Sequence, residues 1–224
     1  MKAHSERVSG KNFRQLGNKP LFQWILDTLV SVDEIETIII NTDARDILKT
    51  HGLADRYGDG KVLIRDRRPE ICGDFVPMND IIADDMNAIA SETYLMTHTT
   101  NPFLSSATIA AGIHAFQEAV SSGSADSLFT VNKIQTRFYR EDGSAINHDP
   151  KVLLRTQDLE PWFEENSNLY IFNRESFQKT KARIGAKPIM LETPALESLD
   201  IDTPEQWELA SAFADYKTSK GTAQ

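Results

Sequence analysis

The chain has 224 residues, 40% hydrophobic and 25% charged, with a formal net charge of −9, enough for one α/β domain with a substantial core. The acidic balance argues against nucleic-acid binding, which needs a basic face. A single cysteine, Cys72, excludes an intrachain disulfide and a cysteine-based zinc site. No apolar run approaches the roughly 20 residues that span a bilayer, and no signal-peptide segment is recognised. We therefore expect a cytoplasmic protein without membrane contact.

The first 12 residues form a short basic loop rich in small residues. It combines three cations with two serines and a glycine: Lys2, Ser5, Arg7, Ser9, Gly10 and Lys11. Small residues let backbone N–H groups approach phosphate oxygens, and the cationic side chains neutralise the phosphate charge. The pattern therefore indicates a polyphosphate site. The alternative is a solvated basic tail.

Hydrophobic periodicity predicts strands and helices in alternation along the chain. The predicted helices cover residues 20–30, 44–51, 78–90 and 106–120, and a last helix begins near 203. The predicted strands cover 35–40, 61–64, 93–97, 127–131 and 169–172, and a strand-like segment approaches 200. Asp43 is a candidate cap for the second helix. This alternation predicts a mostly parallel sheet flanked by helices, with ligands beyond the carboxyl ends of the strands.

The segment 136–168 breaks this alternation. It is charged and turn-rich, with aromatic residues interspersed, and suits a parallel core poorly. We interpret it as an excursion from the sheet, either a lid or a dimerisation arm. The whole chain, 1–224, is then one domain that carries this excursion.

Two carboxylates near the C-terminus, Asp200 and Asp202, are candidate metal ligands. In an extended segment, residues two apart face the same way, about 6.6 Å apart. Leu199 and Ile201 would then anchor the opposite face. Mg²⁺ prefers one or two carboxylates together with substrate phosphate oxygens. The alternative is that Asp202 or Thr203 caps the following helix.

Other polar residues follow the second and third strands. Arg65, Arg67 and Arg68 are placed to bind phosphate or carboxylate at a strand end, or else form a solvated basic loop. His98 follows the third strand and is either structural or hydrogen-bonded to a base or ribose. The P-loop, the dinucleotide fingerprint and the nucleophile elbow are absent, which disfavours P-loop kinases, dinucleotide oxidoreductases and α/β-hydrolases.

Four motifs, in order, resemble those of the acylneuraminate cytidylyltransferase family. The opening K-A-H-S-E-R-V-S-G-K-N, then G-N-K-P-L, is similar to the family's R-x-x-S-x-x-x-x-x-K-N and G-K-P-L. The T-N-P-F-L at 100–104 is similar to T-S-P-L. The stretch 155–168 is similar to R-Q-x-x-P-x-x-x-x-x-N-G, and L-D-I-D-T-P at 199–204 to I-D-I-D-T-P. The motifs together span essentially the whole chain.

The resemblance implies a Rossmann-like nucleotidyltransferase fold and a homodimer built with the excursion. The implied reaction joins CTP and a 2-keto sugar acid, such as a sialic-acid-like nonulosonate, to give the CMP-sugar and pyrophosphate. The implied roles are triphosphate binding by Lys2, Ser5 and Lys11, nucleotide-loop support by Asn12, CTP contact by Arg68, and Mg²⁺ binding by Asp200 and Asp202. Lys11 and the two aspartates are then the catalytic residues. His98 stands where the family commonly has glutamine before the turn, and belongs to the nucleotide or sugar side. Candidates for the sugar acid's side are Lys133, Arg155 and Gln157.

Two further departures from the family pattern affect the expected activity. Lys2 replaces an arginine, which keeps the charge but loses the bidentate geometry. The family has an apolar strand ending in I-P before the opening loop, whereas this chain begins at Met1. We therefore expect an untethered phosphate loop and exposed strand edges, from a misassigned start or a degraded copy. Two alternatives are a catalytically weak paralogue that binds nucleotide or sugar, and a nucleotidyltransferase for an ordinary sugar phosphate.

Overall fold

The structure is a computed structural model that describes residues 1–5, 7–53 and 60–221. The helices in these ranges are α1 (Leu21–Val30), α2 (Arg45–Thr50), α3 (Met78–Ala88), α4 (Ser106–Ser121), α5 (Arg174–Thr180) and α6 (Pro204–Gly221). The strands are β1 (Gln15–Leu16), β2 (Lys19–Pro20), β3 (Ile38–Thr42), β4 (Val62–Asp66), β5 (Thr93–Thr97), β6 (Ser127–Ile134), β7 (Trp162–Asn173) and β8 (Pro188–Glu192). Single turns of 3₁₀ helix cover Lys11–Phe13, Pro69–Ile71 and Thr156–Asp158.

The strands form a mixed α/β arrangement. β3 and β4 pair in parallel, and a four-stranded sheet has the order β5-β7-β6-β8. β7 runs antiparallel to β5 and β6, whereas β6 and β8 are parallel. The predicted α/β class is therefore confirmed, but the larger sheet is mixed rather than mostly parallel as predicted, because β7 runs antiparallel to both of its neighbours.

Side chains of β7 alternate between two apolar layers. Leu169 and Ile171 pack against α1 and α4 on one face, and Tyr170 and Phe172 pack against α3 and α5 on the other. Gly112 lies where α4 packs on β7, and a Cβ at this position would be 3.0 Å from Leu169 Cδ2. Glycine therefore permits the close approach of the helix to the strand. The four-stranded sheet thus has helices on both faces, as the alternating sequence predicts.

The predicted elements differ from the structure where the local signal is short. The helices predicted at 20–30, 78–90 and 106–120 are confirmed, and the strand predicted at 93–97 has these bounds in the structure. α5 and β8 were not predicted, because seven-residue and five-residue elements show little periodicity. The segment leading to 200 forms no strand.

The predicted helix cap at Asp43 is wrong. The Thr42 hydroxyl accepts a hydrogen bond from the Ala44 N–H at 3.0 Å, at the start of α2. The Asp43 carboxylate instead accepts from the Ala3 N–H at 2.6 Å. Asp43 therefore holds the opening loop rather than the helix.

The opening loop is held against the end of β3. The α-amino group of Met1 donates to the Asn41 carbonyl oxygen, and Asn12 Nδ2 donates to the Lys2 carbonyl oxygen at 2.8 Å. Together with the Asp43 contact, these bonds tether the loop that we expected to be untethered. Within the described ranges, β3 pairs only with β4 and β5 only with β7. The β3–β4 pair and the four-stranded sheet therefore share no hydrogen-bonded ladder.

Residues 135–161 connect β6 to β7 outside the sheet. They contain the bridge between Tyr139 and Ala145 and the last 3₁₀ turn. β7 already begins at Trp162, so residues 162–168 of the predicted excursion belong to the sheet. The connection is also rich in exposed apolar side chains, with Leu153 89% exposed.

Lys181→Gly is expected to stabilise the fold by about 0.5–1 kcal/mol, because Lys181 ends α5 in the left-handed conformation, at φ 57°. Glycine adopts this conformation without the Cβ clash, which outweighs its larger entropy in the unfolded chain. Urea unfolding checks this. Lys179→Gly, inside the last turn of the same helix, is the control and is expected to destabilise by about 1 kcal/mol. Equal effects of both substitutions would contradict the assignment.

Candidate active site

A buried lysine joins the opening loop to the C-terminal D-x-D segment. Gly10 adopts the left-handed conformation, at φ 60°, and leads into the 3₁₀ turn that buries Lys11 to 7% exposure. Lys11 Nζ donates to the Ile201 carbonyl oxygen at 2.5 Å and to Asp202 Oδ1 at 2.9 Å. Arg7 lies 3.0 Å from Asp202 Oδ2. The Asp202 carboxylate is therefore held between two cations from one loop.

The D-x-D segment is anchored as its alternation predicts. Ile201 is fully buried in an apolar cluster, and its N–H donates to the Thr100 carbonyl oxygen at 2.9 Å. The Thr203 hydroxyl accepts from the Gln206 N–H at 3.3 Å, while Gln206 Oε1 accepts from the N–H groups of Asp202 and Thr203. This reciprocal cap begins α6. Capping thus accounts for Thr203 and leaves the Asp202 carboxylate to the opening loop.

The two aspartates have opposite electrostatic environments. Burial raises the pKa of Asp200, a hydrogen bond from Thr100 opposes this, and nearby Asp202 raises the pKa further. Burial would also raise the pKa of Asp202, but the bonds and charges of Lys11 and Arg7 outweigh it and hold this pKa below its ordinary value. Asp200 Oδ1 is buried without a hydrogen-bond partner among the described residues. It is therefore open to a cation or a proton.

The turn after β5 contacts both the loop and the D-x-D segment. Asn12 Oδ1 accepts from the Thr99 hydroxyl at 2.6 Å. Asn101 is fully buried, and neither atom of its side-chain amide has a partner in the part of the chain that is described. At the end of β5, burial, followed by the positive charges of Arg183 and the Met1 amino group, lowers the pKa of His98 to about 4. His98 is therefore neutral at pH 7.

The arginine run after β4 separates into two environments. Arg68 Nε lies 2.7 Å from Asp84 Oδ1, and an Arg65 guanidinium nitrogen lies 3.1 Å from Asp84 Oδ2. Arg67 is buried and donates to the side-chain and main-chain oxygens of Asn41, both at 2.9 Å. Asp84 is 8% exposed on α3 and organises Arg65 and Arg68. Sequence reasoning missed it, because an aspartate on a helix carries no signal of such a role.

The remaining predicted site residues do not join the Lys11–Asp202 cluster. Lys2 Nζ lies 2.7 Å from Asp74 Oδ1, in the loop after β4, and Ser5 is partly buried in the opening loop. Lys133, Arg155 and Gln157 are exposed on β6 and the 135–161 connection, where Arg155 pairs with Asp158 at 2.7 and 2.9 Å. The proposed sugar side is therefore not assembled with the phosphate loop within the described ranges.

A second polar cluster on the α3 face of the sheet was also missed. Arg183 stacks on the Tyr170 ring, with its guanidinium carbon 3.9 Å from the ring centroid, and donates to the Tyr170 hydroxyl at 3.0 Å. That hydroxyl donates to Glu165 Oε1. Burial, followed by the bond to Glu165, raises the pKa of Tyr170 to about 12. No motif in the sequence marks Arg183, since only the fold brings it to β7.

The sequence profile of the family described as Cytidylyltransferase matches residues 1–220. The chain belongs to this family. It is a nucleotidyltransferase of this family, and its buried lysine and D-x-D segment lie near opposite ends of the matched range. The resemblance identified from the four sequence motifs is thereby confirmed.

Three relatives define the similarity further. The chain is 24% identical over 227 residues to CMP-N,N'-diacetyllegionaminic acid synthase of Legionella pneumophila, covering 96% of this chain and 93% of that protein. It is 25% identical over 220 residues to N-acylneuraminate cytidylyltransferase of Oncorhynchus mykiss, covering 92% of this chain but 47% of that protein. A CMP:2-keto-3-deoxy-manno-octonic acid synthetase structure complexed with CTP has the same fold, with a TM-score of 0.65 and 13% identity, covering 97% of this chain and 96% of that one.

The described residues hold neither a preformed cluster of metal ligands nor a membrane-spanning helix. They contain no group of three or more His, Cys, Asp or Glu side chains arranged to hold a metal ion. In the same ranges, no helix has the length and apolar character needed to cross a membrane.

Asp200→Asn is expected to raise stability at pH 7. Burial raises the pKa of Asp200 in the folded state, so its ionised form destabilises the fold at neutral pH and a neutral amide does not. This destabilisation is fully present above the raised folded pKa and disappears as pH falls below the unfolded value of about 3.9. Urea unfolding at pH 7 and near pH 3.5 checks it. A gain in the free energy of unfolding that is equal at both pH values would contradict this cause.

Proposed function

We propose that this protein transfers the CMP group of CTP to the anomeric hydroxyl of a 2-keto sugar acid and releases pyrophosphate. The observation that carries the proposal is the joining of Lys11, Asp202 and the Thr100 turn in a chain of the cytidylyltransferase family. The named activities of the two sequence relatives support a sialic-acid-like nonulosonate as the acceptor.

The reaction depends on positioning and charge. The sugar hydroxyl loses its proton to solvent as it attacks the α-phosphorus, the bond from that phosphorus to the bridging oxygen of the β-phosphate breaks, and pyrophosphate leaves with the developing negative charge. Lys11 and Arg7 lie on the opening loop, where their charges stabilise that leaving group. Their attachment to Asp202 fixes them before the substrate binds.

Residues of the site fit a magnesium ion, which we propose as the cofactor. Asp200 Oδ1 is buried and unpartnered among the described atoms, and the carboxylate of Asp202 lies two residues away. With only two carboxylates, the site suits Mg²⁺, which takes its other oxygen ligands from phosphates and water. The ion would supply Lewis-acid polarisation of the phosphate oxygens. Asp200 and Asp202 would hold it, with Lys11 neutralising the second carboxylate.

One observation favours a second candidate, a paralogue that binds nucleotide without transfer. Lys2 and Lys11, both expected on the triphosphate, are engaged by the carboxylates of Asp74 and Asp202. If these pairs persist when CTP binds, the triphosphate lacks its cations and transfer fails. CTP binding without turnover would identify this case.

The direct test is pyrophosphate release from CTP and Mg²⁺, with N-acetylneuraminate, N,N′-diacetyllegionaminate and 3-deoxy-manno-octulosonate as acceptors. Turnover with one acid is expected, and a chelator should remove it. A sugar 1-phosphate is the comparison acceptor, and product from it alone would contradict the sugar-acid assignment.

We also propose the cytoplasmic location that the sequence analysis expects, because CTP is available in that compartment.

Asp202→Asn is expected to lower kcat at least about 100-fold, because it removes a charge that holds the cation and the Lys11 ammonium. The amide oxygen still accepts from Lys11, so the fold is retained. Asp46→Asn removes an exposed carboxylate paired with Lys49 on α2, away from the proposed site, and is the matched control. Unchanged turnover in Asp202→Asn would exclude the D-x-D segment from the reaction.

We propose that the 135–161 connection and the start of β7 form a homodimer interface. Their exposed apolar side chains include Val152, Leu153, Leu154, Trp162 and Phe163. Clustered exposed apolar residues of this kind mark interaction surfaces. The family resemblance of the sequence motifs implies a homodimer built with this segment, so we take a second copy of the chain as the partner.

Leu153→Asp is expected to shift the protein from dimer to monomer, because it places a charge in the proposed apolar interface. Sedimentation velocity measures the change. Leu209→Asp on α6 is the control, since Leu209 is also exposed but lies outside the connection. A wild-type monomer, or equal dissociation of both variants, would contradict the interface.

A further inference from the structure

The second polar cluster, formed by Arg183, Tyr170 and Glu165, has no role in the phosphate chemistry described above. Arg183 lies in the loop between α5 and β8. Its backbone N–H donates to Asn79 Oδ1 at 3.3 Å, in the first turn of α3, and its guanidinium stacks on Tyr170. Anchoring at both ends holds the cationic group in one place on the sheet face.

This cluster is connected to the phosphate loop through the end of β5. Met96 is the ladder partner of Tyr170, and an Arg183 nitrogen lies 3.9 Å from Met96 Sδ. His98 lies two residues after Met96, so an extended chain directs both side chains to the same face. Thr99 follows and donates to Asn12 of the opening loop. A series of contacts and neighbouring residues thus leads from Arg183 past His98 to the phosphate loop.

The charge of Arg183 is less completely neutralised than that of other cations near the site. Among the described residues, its nearest carboxylate oxygen is Glu165 Oε1, 3.6 Å away and beyond hydrogen-bond distance. That oxygen already accepts a hydrogen bond from the Tyr170 hydroxyl. By contrast, Lys11 and Arg68 lie 2.9 and 2.7 Å from their carboxylates. The Arg183 side chain is 21% exposed. Arg183 Nη2 donates to the Tyr170 hydroxyl and Nη1 faces Met96 Sδ, so a carboxylate would be bound by the remaining N–H groups of this fixed, partly exposed guanidinium.

We propose that Arg183 binds the carboxylate of the 2-keto sugar acid, an assignment that rests on the proposed function. This carboxylate is attached to the anomeric carbon, so holding it also orients the attacking hydroxyl toward the nucleotide. The Tyr170 ring supports the guanidinium from below. The neutral imidazole of His98 adds a hydrogen-bonding group between the carboxylate and the phosphate loop.

The test measures steady-state pyrophosphate release by wild type, Arg183→Met and Arg183→Lys. The acceptors are N-acetylneuraminate, N,N′-diacetyllegionaminate, 3-deoxy-manno-octulosonate and the carboxamide of the acid that reacts fastest. Arg183→Met is expected to raise KM for that acid roughly 10- to 100-fold, with KM for CTP changed less than about twofold. Its preference for acid over carboxamide should fall by the same factor. Arg183→Lys should recover part of it.

Arg174→Met is the matched control, because Arg174 also stacks on a tyrosine, Tyr94, near the other end of β5. It is expected to lower stability without changing the preference for acid over carboxamide. An unchanged preference in a folded Arg183→Met variant would overturn the assignment while leaving the transferase proposal intact. Absence of turnover by wild type with every acceptor would instead overturn the proposed function, and the assignment with it.

Discussion

The site depends on the buried ammonium of Lys11, which bonds the Ile201 carbonyl oxygen and the Asp202 carboxylate across 190 residues of sequence. The Lys11 side chain is 9% exposed and that of Asp202 33%, so loss of the carboxylate leaves the ammonium less compensated but costs less than in a fully buried pair. The contact therefore fixes the opening loop and the start of α6 relative to each other. The turn after β5 is attached to both segments, so this connection also fixes the position of that turn.

The apolar side of the same segment supports this connection. Ile201 is fully buried in the cluster that contains Val8 of the opening loop and Trp207 of α6. Alternation in an extended chain then directs Asp200 and Asp202 away from the cluster. The reciprocal cap of Thr203 and Gln206 begins α6 without using a carboxylate. Packing, capping and chemistry are thus assigned to different residues of one short motif.

The sequence predicted the parts of this arrangement that have local periodicity or a dense motif. Long amphipathic helices and the D-x-D segment belong to this class, as does the opening loop. Asp84 and Arg183 could not be predicted, because their partners come from distant elements and neither residue lies in a recognisable pattern. The reversed direction of β7 could not be predicted either. Strand direction is set by the path of the whole chain, whereas hydrophobic periodicity is the same in either direction.

An acidic chain that binds two anionic substrates, as we propose for this one, must keep its cations available in the presence of its own carboxylates. Here each main cation of the site is paired: Lys2 with Asp74, Lys11 and Arg7 with Asp202, and Arg68 with Asp84. A bound triphosphate would then exchange with or share these internal anions, so its net affinity is smaller than the contacts alone suggest. Arg183 differs because its nearest carboxylate, that of Glu165, lies 3.6 Å from the guanidinium, too far for a hydrogen bond. If Arg183 binds the sugar acid as we propose, the acid displaces a weaker internal contact than the triphosphate does, which favours specificity for the acid.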